Sequence, residues 1–117
     1  MNRETLQLRT KKFALNVIKL TDSLPKSRSG NTIGNQLMRS GTSIGANYRS
    51  ACRGRSKAEF ISKLGIALEE ADESIYWLEL LIEGKILKRE QIEKLLTEAN
   101  ELTSIFYASI KTARGRQ

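Results

Sequence analysis

Histidine is absent from this chain, and cysteine, proline and tryptophan occur once each, as Cys52, Pro25 and Trp77. Without histidine, most zinc and haem ligand sets are excluded, and a single cysteine cannot close an internal disulfide. No apolar run approaches the length of a membrane span, and the opening segment MNRETLQLRTKK has no continuous apolar core of a secretory signal. A cytoplasmic protein with no membrane association is expected. Strand-type alternation, internal repeats and low-complexity tracts are missing as well.

The same shortages bear on catalysis. A serine or cysteine nucleophile would need lysine as its base, and no spacing singles one out. The carboxylates Glu69, Glu70, Asp72, Glu73, Glu79 and Glu83 crowd one segment, but a di-metal bundle draws Glu-x-x-His partners from other helices, and there is no histidine to supply them. Neither an enzyme nor a bound metal or cofactor is expected. Cys52 beside Arg53 reads as a small residue at a helix end, the alternative being a thiol activated by the neighbouring cation.

What the chain does have is positive charge and helical periodicity. Its 117 residues suffice for one domain, 1–117, and its net charge is +7. Residues 1–55 hold eleven Lys and Arg against Glu4 and Asp22, while residues 56–117 hold nine against eleven acids. Such a field favours a polyanion such as RNA or DNA, although the same charge is compatible with a solvated surface that binds nothing.

The periodic signal is strongest from Asn35 to Leu81. Ile33, Leu37, Ile44, Tyr48 and Ala51 recur at helical steps, and after the link Cys52-Arg53-Gly54-Arg55 the residues Phe60, Leu64, Ala67, Ala71, Ile75, Leu78 and Ile82 do so without a break. Gly54 is suited to a left-handed helix end, and Ser56 with Glu59 forms a capping box for the following helix. The two arms therefore form a helical hairpin. With its turn near Gly54 and Arg55, residues whose numbers sum to about 109 share a level, which sets Arg39 opposite Glu70. Arg39 with Glu70 or Glu73 is the expected structural ion pair, fixing alignment more than adding stability.

On either side of the hairpin the pattern continues. Leu6, Phe13, Val17, Leu20 and Leu24 mark a first helix from about Thr5 to Ser23, with Lys11, Lys12 and Lys19 around them. Pro25 ends it, PKSRSGN reads as a loop, and Asn31 or Thr32 is the expected cap of the second helix. After a connection at Lys85 to Arg89, the series from Ile92 to Ile110 forms a fourth helix ending near Ala113, and the basic tail Arg114 to Gln117 is expected to be mobile. Four amphipathic helices with short links predict an all-α, antiparallel up-and-down four-helix bundle.

Two features ask for partners. Gly34, Gly41 and Gly45 lie on one stripe of the second helix, and each interior glycine costs about 1 kcal/mol relative to alanine, so close packing must compensate, inside the bundle or on another subunit. On the third helix Ile61, Leu68, Trp77 and Leu81 widen the apolar arc beyond what one hairpin partner covers; the first or fourth helix is expected to take part of it and a subunit interface the rest, the helix being too apolar for its own chain to hide. The sharpest candidate for binding is the cluster Arg49, Arg53, Arg55 and Lys57 at one bundle end, with Lys11 and Lys12 of the first helix, where side chains reach a phosphate backbone without disturbing the core.

The stretch NQLMRSGTSIGANYRSA from Asn35 to Ala51, the core from Phe60 to Ala71, and Glu73 with Tyr76-Trp77-Leu78 resemble the small bacterial four-helix-bundle proteins encoded in intervening sequences of 23S rRNA genes. The resemblance implies an antiparallel bundle without enzymatic activity, commonly assembled as a homo-oligomeric ring of five subunits. It extends to the accessory protein of diversity-generating retroelements, a basic pentamer that binds nucleic acid and a reverse transcriptase. It implies a nucleic-acid partner or, alternatively, an adaptor whose partner is a protein such as a reverse transcriptase. Arg39, Ser40, Gly41, Ile44 and Asn47 match the family pattern, but no binding residue carries over, so the basic cluster rests on charge alone.

Overall fold

The computed structural model describes residues 1–115, so Arg116 and Gln117 of the expected mobile tail lie outside the described residues. Among the described residues the chain forms four helices and no strand: α1 (Arg3–Asp22), α2 (Arg28–Cys52), α3 (Lys57–Glu83) and α4 (Arg89–Arg114). Each packs against the next, α4 returns to flank α1 lightly, and the diagonal pairs meet only through long side chains, their backbones staying apart. The result is an antiparallel four-helix bundle, a rod of 50 × 20 × 19 Å.

The core is the sum of the four apolar stripes. Phe13 and Val17 of α1, Leu37 and Ile44 of α2, Leu64 and Leu78 of α3, and Ile92, Leu102 and Phe106 of α4 are almost completely removed from solvent. Burying such a side chain contributes roughly 1.5–3 kcal/mol, so the repeat of three and four residues is itself the folding instruction. Tyr48 stacks on Phe106 with ring centroids 5.7 Å apart, bracing α2 against α4 near one end.

Helix ends follow local chemistry, with departures from the sequence reading. Asn2 caps α1, its side-chain oxygen accepting from the Thr5 N–H at 2.8 Å, so α1 begins two residues before Thr5. α2 is capped by Ser27 and not by Asn31 or Thr32: the Ser27 hydroxyl accepts from the Gly30 N–H at 3.0 Å. Position 30 lies so near the Pro25 carbonyl that a Cβ there would sit 2.3 Å from it, and glycine lets the helix start beneath the proline. Ser56 caps α3 by accepting from the Glu59 N–H at 3.0 Å. Gly54 does not adopt the left-handed conformation expected of it; among the described residues the one positive φ outside glycine is Lys85 at 58°, in the α3–α4 connection. Gly54 is needed for closeness instead, since a Cβ would meet the Ala51 carbonyl at 3.0 Å and the Phe60 nitrogen at 3.3 Å. Arg89, expected in the connection, is already the first residue of α4.

The glycine stripe of α2 faces α1. A Cβ at Gly41 would lie 2.8 Å from a Val17 methyl, and one at Gly45 would lie 3.1 Å from the Thr10 hydroxyl. Of the two packings open from sequence, the stripe is used inside the bundle.

The apolar surplus of α3 is also largely absorbed within the protomer, against expectation. Leu81 is fully buried, and Ile61, Leu68 and Trp77 are half-buried against the core. The reason is topological: α3 packs broadly on both α2 and α4, whereas α1 has one close neighbour. What α3 leaves outside is Ile66 and Tyr76, and the larger exposed apolar set belongs to α1, with Leu8, Leu15 and Ile18.

Candidate nucleic-acid interface

In an up-and-down bundle of four helices, the chain start, the α2–α3 turn and the end of α4 share one end of the rod. Arg3 shows the juxtaposition directly: its Nη1 donates to the Cys52 carbonyl at 3.4 Å, and its guanidinium lies over the Phe60 ring, 4.9 Å from the centroid. This end gathers Arg3, Arg49, Arg53, Arg55 and Lys57 with Lys111 and Arg114 of the last α4 turn, all exposed. Glu4 and Glu59 are the acids among them.

The sequence-predicted residues divide. Arg49, Arg53 and Arg55 border one shallow depression of about 530 Å³ shared with Glu59. Lys11 lies in the α1–α2 groove with Arg49 and Arg53, continuing the positive strip along the rod. Lys12 does not join it; it turns into a groove of about 750 Å³ between α1 and α4, with Lys19, Lys94 and the Arg9–Glu98 pair. Sequence reasoning missed Arg3, Lys111 and Arg114. An even number of antiparallel helices would have located them, since it returns both termini to the hairpin end.

Among the described residues, Arg9 and Arg39 are bound to acids along the sides of the bundle. Arg39 spans α2 and α3, donating to Glu70 at 3.1 Å and also to Glu73, which accepts from the Trp77 indole N–H at 3.1 Å. Arg9 forms a two-pronged contact with Glu98 of α4, its Nε donating at 2.9 Å, and reaches Glu101 at 3.0 Å. Its hydrogen bonds to Glu98 outweigh the opposing effect of burial and raise its pKa further above an already high value. These pairs neutralise part of the charge along the bundle; the opposite end exposes Lys26, Arg28, Lys85, Lys88 and Arg89 against Asp22, Glu83 and Glu90, a smaller excess than the hairpin end carries.

The interior near this end holds one perturbed group. Burial, and then a hydrogen bond with Cys52, push the Tyr48 hydroxyl well above the ordinary tyrosine pKa. Among the described residues no group of three or more Cys, Asp or Glu is placed to hold a metal ion, and no helix is long and apolar enough to cross a membrane.

A family model described as 23S rRNA-intervening sequence protein matches residues 5–108. The chain belongs to that family. A crystal structure of a protein of unknown function from the S23 ribosomal protein family of Bacteroides thetaiotaomicron VPI-5482 is similar to it throughout, with a TM-score of 0.87 and 39% identity over 95% of this chain and 99% of that one. No curated protein matches the chain. In this 23S rRNA-intervening sequence protein the matched range takes in the whole of α2 and α3, most of α1 and α4, and the cations Arg49, Arg53, Arg55 and Lys57, while Arg3, Lys111 and Arg114 fall outside it.

Proposed function

We propose that the protein is a non-enzymatic, homo-oligomeric bundle that binds RNA or DNA through its basic end. The observation that carries this reading is the concentration of Arg3, Arg49, Arg53, Arg55, Lys57, Lys111 and Arg114 at one end of the rod, while Arg9 and Arg39 are held by carboxylates elsewhere. Exposed cations at a turn meet phosphates with little rearrangement, and each phosphate neutralised releases counterions. Binding should therefore weaken steeply with salt, by about 0.9 in log affinity per log salt for each phosphate on a duplex. Several subunits presenting their ends on one face would add contacts through avidity.

Assembly is supported by two opposed faces. The outward side of α1 carries Leu8, Leu15 and Ile18 among Lys11, Lys12 and Lys19, and that of α3 carries Ile66 and Tyr76 among Glu69, Asp72, Glu79 and Glu83. The helices occupy opposite corners, so one copy's basic face meets the next copy's acidic face head to tail. Such a contact closes into a ring when its rotation allows, and the resemblance implies five subunits.

Fluorescence anisotropy with a labelled nucleic acid at two salt concentrations tests the binding. Salt-sensitive affinity that falls when Arg49, Arg53 and Arg55 are replaced by Ser, with thermal stability nearly unchanged, is expected. Negligible affinity at low salt would leave the protein-adaptor reading in its place. Light scattering tests the assembly, because a species of 13.2 kDa at high micromolar concentration would refute it.

A further inference from the structure

The basic end is not only a charged surface; it contains a recess of about 370 Å³ between the start of α1, the α2–α3 turn and the end of α4. Its lining is mixed: Phe60, Ala51 and Ala113 supply apolar surface, and Arg3, Arg55 and Lys57 supply charge. The volume falls within the range of small-ligand pockets, roughly 300–1,000 Å³. Phe60 is half-buried, and the Arg3 guanidinium lies over its ring.

A recess that holds a guanidinium stacked on an aromatic ring, with further cations beside it, suits a planar ring that carries phosphate. Nucleobases stack on aromatic side chains and on Arg planes, but only when they are unpaired, because bases inside a duplex bury their faces on one another. We infer that the recess takes the base of an unpaired nucleotide, so that the protein prefers single-stranded to duplex nucleic acid. This rests on the nucleic-acid reading above and adds a strand preference to it. Arg3 acts here with its neighbours: the inner face of its guanidinium rests on Phe60 and the outer face takes the base, while Arg55 and Lys57 flank the sugar-phosphate path.

The test compares three labelled probes of equal length by anisotropy at low salt: a single strand, the same backbone made abasic, and a blunt duplex. The full chain is used. One stacked base contributes roughly a five- to hundred-fold gain in affinity, so the single strand should bind tighter than the abasic strand by about that factor. Phe60→Leu keeps the apolar volume and removes the ring that holds the Arg3 guanidinium in place. It should bring the single strand's affinity down to that of the abasic strand measured on the same variant. Equal, salt-sensitive affinity for single and abasic strands, or tighter binding of the duplex, would overturn the base site and leave the electrostatic reading standing. Failure of all three probes to bind would overturn both. Should Phe60→Leu unfold the chain, the comparison of single and abasic strands on the unaltered protein still decides.

Discussion

The hydroxyl oxygens of Ser40 and Ser74 lie 2.8 Å apart across the α2–α3 seam, in two residues fully removed from solvent. Ser74 donates to the Glu70 carbonyl of its own helix at 2.9 Å, which leaves Ser40 as the donor between the helices. Neither hydroxyl has water as an alternative. The pair therefore locks the level of α2 against α3 from inside, as Arg39 does from outside.

Replacing the two serines singly and together should expose this asymmetry. Ser40→Ala leaves Ser74 bonded to Glu70 and costs about 1 kcal/mol, whereas Ser74→Ala leaves Ser40 only the 3.4 Å contact to the Leu37 carbonyl and costs about 1–3 kcal/mol. The double substitution should cost less than the sum, because it leaves no orphaned hydroxyl. Denaturant unfolding of the four proteins measures this, and strictly additive costs would refute the interhelical bond.

Glu73 joins two reporters, since one carboxylate accepts from both Arg39 and the indole of Trp77, the single tryptophan. Glu73→Gln keeps an acceptor for the indole and removes the charge facing Arg39. Its fluorescence should match the unaltered protein, with stability lowered by no more than about 1 kcal/mol, as befits a partly exposed pair. Glu73→Ala removes both interactions and should shift the emission to the red. Identical spectra for the two variants would show that the indole hydrogen bond has no weight in solution.

The hairpin was the most legible part of the chain because helical rise is constant: once the turn is located at Gly54 and Arg55, Arg39 must stand opposite Glu70, and it does at 3.1 Å. The same logic could not reach Arg9 and Glu98. Their meeting depends on α4 returning beside α1 and on the lengths of three connections, which composition does not specify. The surplus on α3 was misjudged for a related reason, since periodicity reports how apolar a helix is but not how many neighbours it has. Gly54 and Ser27 mark a third limit. Glycine serves close approach as well as unusual φ, and a chain rich in Ser, Asn and Thr offers several caps whose choice is made by Pro25 and Gly30 in space. At the site, the charged turn was visible, but Lys12 parted from Lys11 because adjacent helical residues diverge by about 100°.

Two glycines should respond oppositely to alanine. At Gly41 a new Cβ meets a branched, fully buried Val17 at 2.8 Å, and overpacking of roughly 1–3 kcal/mol exceeds the helix-propensity gain of about 1 kcal/mol. At Gly65, within α3, nothing lies within 4 Å of the added atom, so the propensity gain stands alone. Gly41→Ala should lower Tm, and Val17→Ala in the same chain should relieve the clash. Gly65→Ala should raise Tm by a few degrees. A rise on Gly41→Ala would mean that α1 and α2 are farther apart in solution.

Tyr48 gives the bundle a pH dependence whose sign follows from its surroundings. Burial, and secondarily the hydrogen bond with Cys52, raise its pKa in the folded protein, while in the unfolded chain it titrates near the ordinary value of about 10. Below that value both states hold the proton, and the contribution is fully present. Above it the unfolded chain gives up a proton that the folded protein retains, so stability falls with pH by at most about 1.4 kcal/mol per unit, until the folded-state pKa is passed. Tyr48→Phe keeps the ring on Phe106 and removes the titrating group. The stability difference between the unaltered protein and the variant should be constant from pH 7 to about 9 and shift in the variant's favour above about 10. Lysines and the other tyrosines are common to both proteins and largely cancel in that difference, so parallel profiles in denaturant titrations through pH 11 would show that Tyr48 is not the buried, protonated phenol assigned here.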